Sequence, residues 1–190
     1  NMVSCKSFVS KVDVTYLSNF NKCFSNSIVT PCGVNLQKYK FSSNRFTNEI
    51  IFVGNLYSVQ NLDSVIWFIS NVLPLLESSF NLKVVGKISN SNKKYLNNLP
   101  RVSATGTVDC ITNATQNSLF GICTVQIAAG IQNKILEYMS LGIVTFSSSI
   151  GNEGIYAEHG KNIIIEDNPL KLAQHLQYLS KNLDEVNILR

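Results

Sequence analysis

The sequence predicts an α/β fold built on a doubly wound parallel sheet, and three observations carry that prediction. Strand-like runs recur that end on glycine, as in EIIFVG (residues 49–54), LKVVG (82–86) and VSATG (102–106). The stronger of these runs are continuously apolar rather than alternating, as expected of strands covered on both faces. Segments of helical period lie between them, and strands that alternate with helices assemble into parallel sheets. In such sheets ligands bind beyond the carboxyl ends of the strands, so Gly54, Gly86 and Gly106 mark the prospective ligand-binding edge.

The elements follow in order. Val9, Val12, Val14 and Leu17 suggest a strand running into a short helix, and Ser27 to Val29 a second short strand. These pieces are too small to enclose a core, and TPCGVNLQKY (30–39), with its turn at Pro31 and Gly33, reads as a seam between two domains. After the strand at 49–54, Val65, Phe68, Ile69, Val72 and Leu76 give the stripe of an amphipathic helix. Leu82 to Val85 forms the next strand, followed by a polar helix from Lys93 to Leu99 that Pro100 stops. Further strands are expected at Val102–Thr105, Leu119–Ile127, Ile143–Phe146 and Asn162–Ile165, with a last helix over Pro169–Leu179.

Composition narrows the function. With 190 residues, 45% hydrophobic and 15% charged, the chain has the make-up of a folded domain rather than of disorder. The net charge of +4 is compatible with a phosphorylated ligand or an anionic membrane face, but no Lys/Arg cluster interleaved with aromatics marks a nucleic-acid groove. The 5 cysteines are scattered, without a CxxC pair, which argues against a disulfide framework or zinc knuckle and for a reducing cytosol. No apolar run approaches the ~20 residues of a membrane span. The chain opens on Asn1, so an upstream part is expected to be missing. The absence of GxSxG, Walker A and GxGxxG patterns removes the usual markers of acyl transfer, P-loop hydrolysis and dinucleotide binding. His159 and His175 are too few for a metal site, the sequon at Asn113 carries little meaning in a cytosolic chain, and Trp67 reads as core.

The stretch with most chemistry is QIAAGIQNKILEYMSLG (126–142), a strand end, a small-residue turn and a helix opening at Gly130. A 3.6-residue period puts Gly130, Asn133, Lys134 and Glu137 on one stripe and Ile131, Ile135, Tyr138 and Gly142 on another. A helix N-terminus attracts anions through its free N–H groups and dipole. Lys134 would add a point charge to a phosphate there, and Glu137 would accept from sugar hydroxyls. The same spacing also suits an ordinary amphipathic helix with Lys134 and Glu137 in solvent. SSIGNEG (148–154) offers a second glycine-rich loop at the same edge, as a phosphate cradle or a plain loop.

Together these motifs resemble the C-terminal half of family 4 retaining glycosyltransferases, a two-domain fold of twin Rossmann-like halves. TPCGVNLQKY resembles the interdomain "P-N-G-V-D…F" segment, with Cys32 for Asn and Asn35 for Asp. FVGNLYSVQNLDSVIWFISNVLP is similar to "F-V-G-x-L…N-x-D-A…W-F…x-P", and GIQNKILEYMSLGIVTFSSSIGNEGI to "G-x-x-x-K-x-L-E-A-M-A-x-G-x-P-V-V…G-x-E-G". VSKVDVTYL looks like "V-S-x-x-D-x-x-x-L" at the end of the acceptor-binding domain.

The resemblance implies that residues 1–36 are a remnant of the N-terminal acceptor domain with its linker, and 37–190 the donor-binding domain. It makes Glu137 and Lys134 the catalytic candidates and Gly54, Asn55, Gly130, Ile131, Gln132, Glu153 and Gly154 the donor-binding ones. Glu137 corresponds to the carboxylate that holds the donor ribose. The family's preceding Glu falls on Ala129, and its diphosphate-binding Arg and Lys on Asn55 and Gln60, which leaves phosphate neutralisation to Lys134 and backbone N–H groups. No cofactor or metal is expected, because the nucleotide-diphosphate sugar is the donor substrate. The implied partners are that sugar, a glycan or lipid-linked acceptor of bacterial surface polysaccharide or lipopolysaccharide synthesis, and the missing N-terminal domain, not nucleic acid. The implied location is the cytoplasm, peripherally at the inner membrane. A nucleotide-sugar epimerase of the same architecture and a non-catalytic Rossmann-like binding module remain open alternatives.

Overall fold

The computed structural model describes residues 5–43, 47–128 and 130–190. Its centre is a parallel sheet that starts from β3 (Thr47–Val53), where Ile50, Ile51 and Phe52 are all fully buried. Neighbouring side chains on a strand point to opposite faces. Ile50 and Phe52 accordingly join one hydrophobic cluster while Ile51 joins another, so apolar layers cover both faces of this strand. That is why the run is continuously apolar and not alternating.

Besides β3 the sheet contains β4 (Asn81–Val85), β5 (Val102–Gly106), β6 (Ser118–Cys123), β7 (Val144–Ser147) and β8 (Ile164–Ile165), in the order β5-β4-β3-β6-β7-β8. Every pairing is parallel, in registers such as Phe52 with Val84, Phe120 with Val144 and Phe146 with Ile164. The main cluster packs Phe52, Phe80, Phe120 and Phe146 with Val65 and Phe68 of α2 (Val59–Asn71) and with Leu172 and Leu176 of the penultimate helix. The opposite face is covered by α5 (Asn133–Leu141), which contributes Tyr138 and Leu141. The doubly wound parallel fold expected from the sequence is thus the fold observed.

Shorter helices complete the crossovers: α3 (Asn90–Asn97), capped by Ser89, and α4 (Ile111–Ala114). After β8 come α6 (Pro169–Lys181), capped by Asn168, and α7 (Leu183–Ile188). Upstream of the sheet, β1 (Ser7–Phe8) and β2 (Ile28–Val29) pair in parallel, and α1 (Lys11–Phe20) lies between them in sequence. Ser10 caps α1, its Oγ accepting from the Val12 N–H at 3.1 Å.

Several boundaries differ from the sequence reading. β6 ends at Cys123 rather than Ile127, because the chain turns away and Ile127 is 78% exposed. Val125 stays buried although it leaves the ladder, its carbonyl accepting from Ser148 Oγ at 2.6 Å. The following helix starts at Asn133 and not at Gly130, whose φ of +68° is left-handed and cannot belong to a right-handed helix. The polar helix begins earlier, at Asn90, because Ser89 supplies its cap. Among the described residues, no helix is long and apolar enough to cross a membrane.

Candidate functional site

The sheet order locates the site. From β3 the chain winds through α2 to β4 on one side, and from β6 through α5 to β7 on the other, so β3 and β6 are neighbours whose connections diverge. A crevice outside the carboxyl ends at this switch point is the ligand site of open α/β sheets. On the β4 side of that point, the ends of β3 and β4 are pressed together. A Cβ on Gly86 would lie 1.8 Å from the Gly54 carbonyl oxygen, and the Gly54 N–H donates to Val85 O at 3.0 Å. Gly54, Asn55, Lys38, Lys87 and Asp109 contribute to a groove of about 380 Å³ at this edge.

Tyr138 enters where the two central strands part. The last residue of β3 paired with β6 is Ile51, opposite Gly121, leaving the end of β3 without that partner strand. The fully buried Tyr138 hydroxyl fills the role: it accepts from the Val53 N–H at 2.7 Å and donates to Ile122 O at 3.5 Å. Its ring lies so close to Gly121 that a Cβ there would come within 2.6 Å. Burial drives the phenol pKa well above the ordinary tyrosine value, so the hydroxyl stays neutral.

Lys134, in the first turn of α5, is only 7% exposed. Its ammonium donates to Asn61 Oδ1 at 2.6 Å, lies 3.5 Å from Gln132 Oε1 and sits 4.7 Å from the centroid of the Phe52 ring. These are neutral partners, and no carboxylate forms a salt bridge with Lys134 among the described residues. Burial holds its pKa below that of an ordinary lysine, and electrostatic coupling to Cys123 and Glu137 offsets this in part. The helix start is also polar and open: Gln132, the residue before α5, makes no side-chain cap, so first-turn N–H groups are not consumed by one. Glu137, one turn further on, is half-buried, and its Oε1 accepts from the Tyr39 hydroxyl at 2.9 Å. Burial first, then that carboxylate, pushes the Tyr39 pKa up to about 12.

The sequence profile of the group 1 glycosyl transferases matches residues 47–182, the whole sheet with the helices that flank it. The chain belongs to this family. Over 145 residues it is 26% identical to a 44.6 kDa protein of the cps region of Klebsiella pneumoniae, covering 70% of this chain and 37% of that protein. HepE of Anabaena, solved in complex with UDP-glucose, superposes with a TM-score of 0.81 at 15% identity, over 100% of this chain and 57% of HepE. A TarM variant from S. aureus, solved with fondaparinux, alpha-GlcNAc-glycerol and UDP, superposes at 0.79 with 14% identity, over 96% of this chain and 38% of TarM. This group 1 glycosyl transferase chain therefore spans little more than half the length of these relatives at most, and the solved structures establish its fold.

Within the family fold the predicted site residues separate into groups. Gly54 and Asn55 lie at the groove, with Asn55 Oδ1 accepting from the Tyr57 N–H at 3.1 Å. Lys134, Gln132 and Glu137 gather at the start of α5, but Lys134 is buried, which excludes the solvated amphipathic helix as an account of it. Gly130 and Ile131 belong to the loop before the helix, not to its stripes, and Gly142 follows its end. Gly130 lies near Val9, and Gly154 abuts both the Ser10 side chain and Ile131, so the N-terminal segment borders these loops. The Glu153 N–H donates to Ile150 O at 3.2 Å. Gln60 is set apart, lining a depression of about 350 Å³ with Gln126 and Ile127. Ala129 lies outside the described residues. No group of three or more His, Cys, Asp or Glu in metal-binding geometry occurs among the described residues.

Sequence reasoning missed Asn61, Tyr39, Lys38 and Lys87 and took Tyr138 for an ordinary apolar-stripe residue. Lys38 and Lys87 bring positive charge to the groove where the resemblance finds neutral Asn55 in place of a basic residue. For Tyr39 the separation of 98 residues from Glu137 hid the pairing. For Asn61 a signal existed: a polar amide at the start of a helix that faces a lysine-bearing turn across the sheet.

Proposed function

We propose that this chain binds a nucleotide-diphosphate sugar at the β3/β6 switch point and supplies the donor half of a retaining glycosyl transfer. The observation that carries the reading is Lys134, a buried ammonium held by neutral groups beside Phe52 near the carboxyl end of β3. A buried charge that no carboxylate pairs directly is costly, and the penalty falls when an anion arrives. The diphosphate of the donor supplies that anion.

In the reaction, the bond between the anomeric carbon and the diphosphate oxygen breaks with its electron pair staying on the diphosphate, an acceptor hydroxyl oxygen bonds to that carbon on the same face, and the hydroxyl proton passes to the departing diphosphate. The ammonium of Lys134 and the first-turn N–H groups of α5 stabilise that growing charge, which is where fixed electrostatics contributes most. Glu137 accepts from the ribose hydroxyls, for which the Tyr39 hydroxyl must share or release its oxygen. Lys38 and Lys87 add long-range attraction for the anionic donor at the groove. Residues 37–190 form the donor domain in this reading, and 1–36 belong to the acceptor side. The acceptor is a glycan or lipid-linked glycan of surface polysaccharide or lipopolysaccharide synthesis, a role in keeping with the cps-region relative. The enzyme works in the cytoplasm, peripherally at the membrane face.

Isothermal titration with UDP, the nucleotide bound in both structural neighbours, tests the reading. Saturable binding by the wild type, weakened by roughly ten- to a hundredfold in Lys134→Gln as a charged hydrogen bond is lost, is expected. Equal binding by both proteins would contradict it.

A further inference from the structure

The buried ammonium of Lys134 is paired with an amide where a carboxylate would hold it more strongly. Its shortest contact, 2.6 Å, is to Asn61 Oδ1, at the start of α2 and across the switch point from α5. The other end of the same amide is also used, since Asn61 Nδ2 donates to the Asn55 carbonyl at 3.0 Å. A lysine ammonium only donates and a carbonyl only accepts, so the two contacts together fix which end of the Asn61 amide points which way. The result is a relay from α5 through Lys134 and Asn61 to Asn55 in the loop after β3. Asn55 carries this order onward through its own side chain, which accepts from the Tyr57 N–H.

We propose that Asn61 is a positioning residue that orients the Lys134 ammonium without neutralising it, leaving the charge to act on an anionic ligand. This rests on the reading of the crevice as a diphosphate site. An aspartate of the same shape would keep the contact to Lys134 and strengthen it, because opposite charges at this distance in a low-dielectric site attract strongly. It would also cancel the charge and lose the donor to Asn55 O. The neutral amide does the opposite on both counts. Phe52 fits the same design: its ring face, 4.7 Å from Nζ, favours the cation yet carries no net charge. Lys134 has three N–H donors and, among the described residues, two side-chain acceptors, one at 2.6 Å and a long one at 3.5 Å, so donor capacity remains for a phosphate oxygen.

The test compares Asn61→Asp, Asn61→Ala and Lys134→Gln with the wild type, using UDP and uridine as probes in calorimetric titrations and the thermal midpoint of the free protein. Asn61→Asp is expected to weaken UDP at least tenfold, to leave uridine within about twofold, and to melt at or above the wild-type temperature. Asn61→Ala, which leaves the ammonium unheld but charged, is expected to fall between Asn61→Asp and wild type for UDP. If Lys134→Gln loses UDP while Asn61→Asp binds it like wild type, the positioning role is overturned and the diphosphate site stands. If the wild type binds no UDP, or Lys134→Gln binds it unchanged, both readings are overturned. If Asn61→Asp loses UDP and uridine alike with a lowered melting temperature, Asn61 is structural and the inference is wrong.

Discussion

α1 and β6 show two ways for this sequence to be apolar. Every residue of β6 is buried, and Leu119, Phe120, Ile122 and Cys123 are at most 1% exposed. α1 buries none of its residues, and Tyr16 and Phe20 meet as a tilted ring pair while 63% and 74% exposed. The strand is enclosed, because β3 and β7 pair with it on either side and side chains of α2, α5 and α6 pack over its faces. The helix near the amino end, whose cap is local and whose flanking strands pair with each other in a separate two-stranded sheet, is not. The difference teaches that stability resides in the domain around the sheet, and that its core and its site grow from the same central strands.

The largest expected effect breaks the core side of this comparison. Phe120→Ala removes a ring packed edge-on against Phe146 and stacked near Phe80 and should cost about 3–5 kcal/mol in a urea unfolding titration. Tyr138→Phe comes next. It leaves the Val53 N–H without its partner at the strand end, and about 1–3 kcal/mol should be lost in the same titration.

Lys134→Met separates stability from function. The thermal midpoint at neutral pH should hold or rise by a few degrees, because a charge that burial disfavours is replaced by an apolar chain of similar length, while UDP binding is lost. The sign for pH is definite. Burial lowers the Lys134 pKa, so the cost of its charge is present at neutral pH and is relieved as pH rises through the lowered value toward that of an ordinary lysine. Tyr39 behaves oppositely: its pKa, raised to about 12, gives a stability contribution that is full below pH 10.0, the ordinary value, and disappears as pH rises through about 12. Tyr39→Phe should flatten that alkaline decline. The smallest effect lies on the other side of the comparison: Phe20→Ala should change stability by no more than about 0.5 kcal/mol, since the ring is exposed.

The sheet was legible because burial on both faces writes itself into each strand separately. EIIFV and LKVV need no knowledge of their neighbours to be read as strands, and the glycines after them mark where the chain ends are forced together. Overreading β6 to Ile127 has the same origin, since Val125 is as apolar and as buried as the strand but pairs with a serine side chain. The site was legible in part. The start of α5 stood out through Lys134 and Glu137, but their environment is made by residues far along the chain. Asn61, separated from Lys134 by 73 positions, decides whether that lysine is a solvated surface charge or a buried one. Spacing along one helix gives no access to such contacts.

The central claim is that Lys134 is a buried cation kept for an anionic ligand. NMR titration of the Lys134 side chain, in the free protein and with saturating UDP, tests it most directly. The account predicts a pKa below the usual 10.5 in the free protein that rises when UDP binds, with UDP affinity falling as pH passes the free value. An ordinary pKa in the free protein, unchanged by UDP, would contradict it.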